Sequence, residues 1–192
     1  MNTKKAARAA AAGLVATGIF LGTLLIFGAA VFFGLGFSTG ADTDVWRVLT
    51  LVVVFTLIAA GGALPARALG AGWRLSLILS AVTTGSLALA TPPLVANAEG
   101  LFVLFYLFAF VAPAFITIAA SVGNGLSFAG LASIAVVAAL FFLVARLTGF
   151  FLLPGVSEVS AALLQGTMMV AVGWALLPAL AALFQRPPDE AE

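Results

Sequence analysis

The stretch SFAGLASIAVVAALFFLVAR, residues 127–146, decides the fold. It carries no charge until its last residue, Arg146. As an α-helix its twenty residues span about 30 Å at about 1.5 Å each, the thickness of a bilayer's hydrocarbon core. Backbone groups in lipid find no water to bond, so such a run must close its hydrogen bonds within itself as a helix. Arg146 then falls at the far interface, where a long cationic side chain can snorkel to the headgroups.

Working outward, the chain repeats this pattern. Further apolar runs of membrane-crossing length occupy about residues 9–37, 46–64, 75–91, 101–122 and 157–184. The breaks between them have local causes. Gly40, Asp42 and Asp44 end the first run, and Gly61, Gly62 and Pro65 weaken the end of the second. Pro92 and Pro93 stop the third, since neither has an amide hydrogen. Gly123, Asn124 and Gly125 form a tight turn after the fourth, and Pro154 and Gly155 precede the sixth. Ser157 is a fitting N-cap for that last helix, with Glu158 in its first turn.

The composition agrees. Of 192 residues, 64% are hydrophobic and only 8% charged, with a mean hydropathy of +1.25. Soluble domains carry roughly 25% charged residues, and so few charges cannot cover a water-facing surface. The expected fold is all-α: a polytopic transmembrane bundle of about six membrane-spanning helices with short loops. It divides into a basic cytoplasmic N-terminus (residues 1–8), a six-helix transmembrane domain (9–184) and a short disordered cytoplasmic tail (185–192).

Orientation follows from the cations. With six spans, Lys4, Lys5, Arg8, Arg67, Arg74 and Arg186 share one side, and Arg47 and Arg146 the other. The positive-inside bias puts both termini in the cytoplasm. The expected location is a plasma membrane, as a multi-pass protein of a bacterial inner membrane. The lipid bilayer is the first partner, with another membrane subunit or a homo-oligomer as the second. No basic stripe for nucleic acid is present.

There is no cysteine and no histidine. Disulfides, thiolate metal sites, histidine-ligated haem and His-based acid–base catalysis are therefore outside this chain's reach. No carboxylate lies at depth within a span, and both lysines sit at the N-terminus, so a membrane-embedded serine would find no base. An enzyme is not expected, nor a cofactor. Asp42 and Asp44 are spaced for a divalent metal, but two carboxylates in one loop read as a solvated acidic turn.

Four features carry the functional reading. Ser76, Ser80 and Thr84 follow one another at steps of four, which places them on one helix face; Thr83 and Ser86 broaden the patch. Pro113 interrupts an aromatic-rich span and frees the carbonyl of Ala109. Arg146 is the charge in a long apolar run. Gly18 and Gly22 make a G-x-x-x-G pair for close helix contact. Hydroxyls can equally bond their own helix, and glycines can serve packing within the bundle.

The sequence favours a non-enzymatic transport component for a small neutral or anionic solute. Ser76, Ser80, Thr84, Pro113 and Arg146 are then the substrate-binding residues, and Gly18 and Gly22 pack helices. The alternative is a structural or assembly subunit of a membrane complex, held through Gly-rich helix faces.

Overall fold

The computed structural model describes residues 3–32, 43–94, 103, 106–147 and 158–185, with side chains over 3–23, 25, 52–87, 89, 103, 106–144 and 166–185. The described chain is helical throughout. Helix α1 is Thr3–Phe32, α2 is Thr43–Ala68 and α3 is Trp73–Leu94. A π-helical segment, Leu107–Val111, leads directly into α4, Ala112–Val122. Helix α5 is Phe128–Leu147 and α6 is Glu158–Phe184. No strand occurs among the described residues; an isolated antiparallel bridge joins Leu126 to Gln185.

Three prolines do not end their helices where the sequence predicts. Helix α2 continues through Pro65, which is fully buried, to Ala68. Helix α3 runs through Pro92 and Pro93 to Leu94. A proline removes a ladder donor but leaves its helix free to continue where neighbouring elements hold it.

The turn after α2 shows how the ends are closed. The amide of Ala71 donates to the Ala66 carbonyl and that of Gly70 to Arg67, with Gly70 at φ 106°. This is a Schellman motif, and the left-handed position needs glycine. The turn after α4 closes in the same sense: Leu126 donates to the Ser121 carbonyl across Gly125 at φ 74°. The two turns meet the end of α6 at one end of the bundle. There Gln185 donates to the Leu69 carbonyl (3.2 Å) and Ser127 to the Phe184 carbonyl (3.3 Å).

Helix α6 is the central element. It packs along α1 and also touches the π segment, α4 and α5, while α2 lies against α1 and α3. Glycines set the closest approaches. A Cβ on Gly13 would overlap the Trp174 carbonyl, and one on Gly173 would overlap the Ala109 carbonyl. Backbone meets backbone at both places, which only glycine permits.

The sorting of residues is unusual. Much of the core is alanine, including Ala9, Ala63, Ala66, Ala109, Ala181 and Ala182, all fully buried. Large apolar side chains on α1, α2, α3 and α5 face outward, among them Leu14, Val53, Ile78, Val82 and Leu140. Among the described residues, two stretches are long and apolar enough to cross a membrane: Thr3–Thr23 in α1 and Gly166–Phe184 in α6. Val52–Ala68, Leu107–Val122 and Phe128–Val144 are apolar but shorter.

Candidate functional site: a cavity at the π-helical break

Six helical segments converge on one narrow cavity, α4 through Ala112 and Ile116. Thr17 reaches it from α1, Gly62 from α2, Thr83 and Thr84 from α3, Phe108 from the π segment and Trp174 from α6. It leaves about 10 Å³ for the centre of a water-sized molecule, at the threshold for holding about one water. Among the described residues no charged side chain lines it.

The wall beside Phe108 has a chain of causes that starts at Pro113. In the π register the Ala112 amide donates to Leu107, five residues back. The next bond would run from residue 113 to the Phe108 carbonyl, and proline has no hydrogen to give. The indole Nε1 of Trp174 donates to that carbonyl instead, at 3.0 Å. The sequence places the orphan at Ala109, four residues back; the π register moves it to Phe108. π-Helical turns are rare and often mark functional sites. The Phe108 ring is held on both sides, stacked on Phe20 at 3.9 Å and tilted against Trp174 at 5.8 Å.

The predicted hydroxyl face divides in two. Ser76 is buried and donates to the Gly72 carbonyl of its own helix at 2.9 Å. Ser80 is buried with its Oγ against Gly62, and that oxygen has no hydrogen-bond partner. Thr84 lines the cavity. Thr83 lines it as well, while its hydroxyl donates to the Leu79 carbonyl at 2.7 Å. Thr17 donates to the Gly13 carbonyl at 3.0 Å. Gly62, in the cavity wall, stands between Ser80 and Trp174: a Cβ there would meet Ser80 and lie 3.4 Å from the Trp174 ring.

Pro113 is fully buried at the start of α4. Arg146 belongs to the last turn of α5, and its side chain lies outside the described residues. So do Asp42 and the side chain of Asp44. The structure thus brings Thr84 and the consequence of Pro113 together, leaves Ser76 to its own helix, and does not place the Arg146 side chain. Gly18 and Gly22 stand apart from the cavity, with nothing within 4 Å of the space a Cβ would take.

Sequence reasoning missed Thr17, Gly62 and the bond from Trp174. Pro113 was the available signal, since a freed carbonyl in an apolar bundle requires a donor and Trp174 is a strong one. Among the described residues no group of three His, Cys, Asp or Glu could hold a metal.

The fit of Ser80 against Gly62 gives a test. A methyl group at Gly62 would overlap the Ser80 Oγ and lie 3.3 Å from its Cβ. Gly62→Ala is expected to lower the thermal unfolding temperature in detergent, at an overpacking cost of about 1–3 kcal/mol. Adding Ser80→Ala should recover most of the loss, because it removes the clashing oxygen and a buried unpaired hydroxyl together. A double variant no more stable than Gly62→Ala would contradict this placement.

Comparison with known protein families, curated proteins and solved structures finds no match to this chain.

Proposed function

We propose that the chain is a six-span protein of a bacterial plasma membrane, with both termini in the cytoplasm. The support is the sorting of its residues: alanine and glycine between helices, and Leu, Val and Ile around the outside. Water would oppose that arrangement, whereas in lipid close contact across small residues holds helices together. The meeting of both described turns with the end of α6 agrees with an up-and-down path.

Within that frame, the reading we favour is a non-enzymatic transport component, with the central cavity as the closed form of its solute site. One observation carries it: six helical segments converge on hydroxyls and an indole beside a π-helical break. Broken helices near the midplane are where transporters hold their substrates. The uncharged lining favours a small neutral solute over an anionic one. Native mass spectrometry of the protein, purified in mild detergent, is the test. The expected result is a chain carrying a small-molecule adduct, reduced in Thr84→Val, which keeps shape and loses the hydroxyl. A chain with no adduct but a stoichiometric protein partner would overturn the transport reading.

The assembly reading rests on a separate observation. The bundle's close contacts at Gly13, Gly62 and Gly173 are filled by its own chain, whereas at Gly18 and Gly22 no described atom lies within 4 Å of the space a Cβ would take. A helix of another subunit, or of a second copy, would fit there, and the same spectrum would reveal it.

A further inference from the structure

The end of the bundle where α2 turns into α3 gathers positive charge. Helices α1 and α2 pack against each other, and the short connection from Phe32 to Thr43 cannot return the length of α1, so they run antiparallel; a Cβ on Gly61 would lie 3.3 Å from Ile19 and 3.6 Å from the Ala16 carbonyl. From that level, Arg8 stands about 12 Å down α1 and Arg67 about 9 Å down α2, at about 1.5 Å per residue. Lys4 is one turn beyond Arg8, and Arg74 opens α3 across the turn. All four side chains are exposed. Among the described residues the acidic ones, Asp44 and Glu158, start α2 and α6 at the opposite end.

Arg67 is not a free surface cation. Its Nη1 donates to the Ala71 carbonyl at 2.9 Å, and its Cζ stands 5.3 Å from the centre of the Trp73 ring. The fork is therefore held in place with donors to spare. Trp73 itself is 52% exposed. Leu77, one turn beyond Trp73 on α3, is exposed, and so are Ile78 and Val82, one and two turns beyond Arg74. Cations, an amphipathic ring and then an apolar band follow in the order of a lipid's own anionic headgroup and acyl chains.

We propose that Arg67, Arg74, Lys4 and Arg8, with Trp73, form a seat for the phosphate of an anionic phospholipid. Arg67 supplies the oriented donors, Trp73 fixes the depth, and the other cations hold the field. This rests on the membrane reading above.

The test is native mass spectrometry of the full chain in detergent, offered equal amounts of phosphatidylglycerol and phosphatidylcholine. The chain is expected to retain phosphatidylglycerol preferentially. Arg67→Gln should cut that preference about fivefold, the effect of one cation near a charged membrane surface. Trp73→Leu should reduce it as well, with no change of charge. Equal retention of the two lipids would overturn the proposal. So would an unchanged preference in Arg67→Gln, or displacement of the lipid by inorganic phosphate, which would mark a site for the free anion. Unfolding temperature, followed in parallel, separates lost binding from lost fold. A chain that leaves the detergent for plain buffer would sink the membrane reading instead.

Discussion

Gly173→Ala and Gly13→Ala are expected to destabilise this protein more than any other single added methyl group. The new Cβ would overlap a carbonyl oxygen in each case, that of Ala109 or of Trp174. A clashing side chain can rotate away, but a carbonyl moves only with its helix. Both sites lie on α6 contacts, at the centre of the bundle. Overpacking costs about 1–3 kcal/mol and occasionally more, and the rigid obstacle puts these two at the upper end. Against a total stability of about 5–15 kcal/mol, either variant should unfold far earlier in a thermal or denaturant series. Gly18→Ala and Gly22→Ala are the controls on the same helix as Gly13. No described atom occupies their Cβ space, so alanine should gain about 0.5–1 kcal/mol from its better helix propensity. Four Gly→Ala changes with the same sign would contradict the packing described. If the controls are stable yet lose a co-purifying subunit, the assembly reading gains and the transport reading loses.

Trp174→Phe should be nearly as damaging, for a different reason. Phenylalanine keeps most of the ring but cannot donate, and the Phe108 carbonyl then loses the partner that replaces the amide missing at Pro113. A buried polar group without a partner costs about 1–3 kcal/mol. Pro113→Ala restores an amide hydrogen at the break. Made in the Trp174→Phe background it should recover part of the loss, whereas in the wild type the carbonyl already has its donor. The double-mutant cycle should therefore show coupling on the order of 1 kcal/mol. Strict additivity would mean that proline and indole do not serve the same carbonyl.

Much of the helical layout was legible because apolar runs and turn chemistry are local. Gly123-Asn124-Gly125 marks the turn that follows α4, and the run ending at Arg146 matches α5 to within a residue or two at each end. Glu158, expected in the first turn of the last helix, begins α6. Pro65, Pro92 and Pro93 misled because a proline's local cost says nothing of the packing that holds a helix through it.

The site was legible only in part. A step of four places Ser76, Ser80 and Thr84 on one face, but a face meets different neighbours along its length. Ser76 bonds its own helix, Ser80 meets Gly62, and only Thr84 of the three reaches the cavity. Which residue stands opposite is a tertiary fact that spacing cannot encode. Pro113 announced an orphan carbonyl, yet the choice between Ala109 and Phe108 depends on the register, and the donor lies on a helix some sixty residues later. Among the described residues the closest backbone and side-chain approaches fall at Gly13, Gly62 and Gly173, with no motif to distinguish them.

The central claim is the path through the membrane, and the absence of cysteine makes it directly measurable. Single cysteines at Asn2, Asp42, Asn97, Asn124 and Gly155 can be probed in cells with a membrane-impermeant thiol reagent. The six-span path predicts labelling of Asp42→Cys, Asn97→Cys and Gly155→Cys in intact cells, and of Asn2→Cys and Asn124→Cys only after the membrane is opened. Labelling of Asn97→Cys and Asn124→Cys from the same side would contradict it.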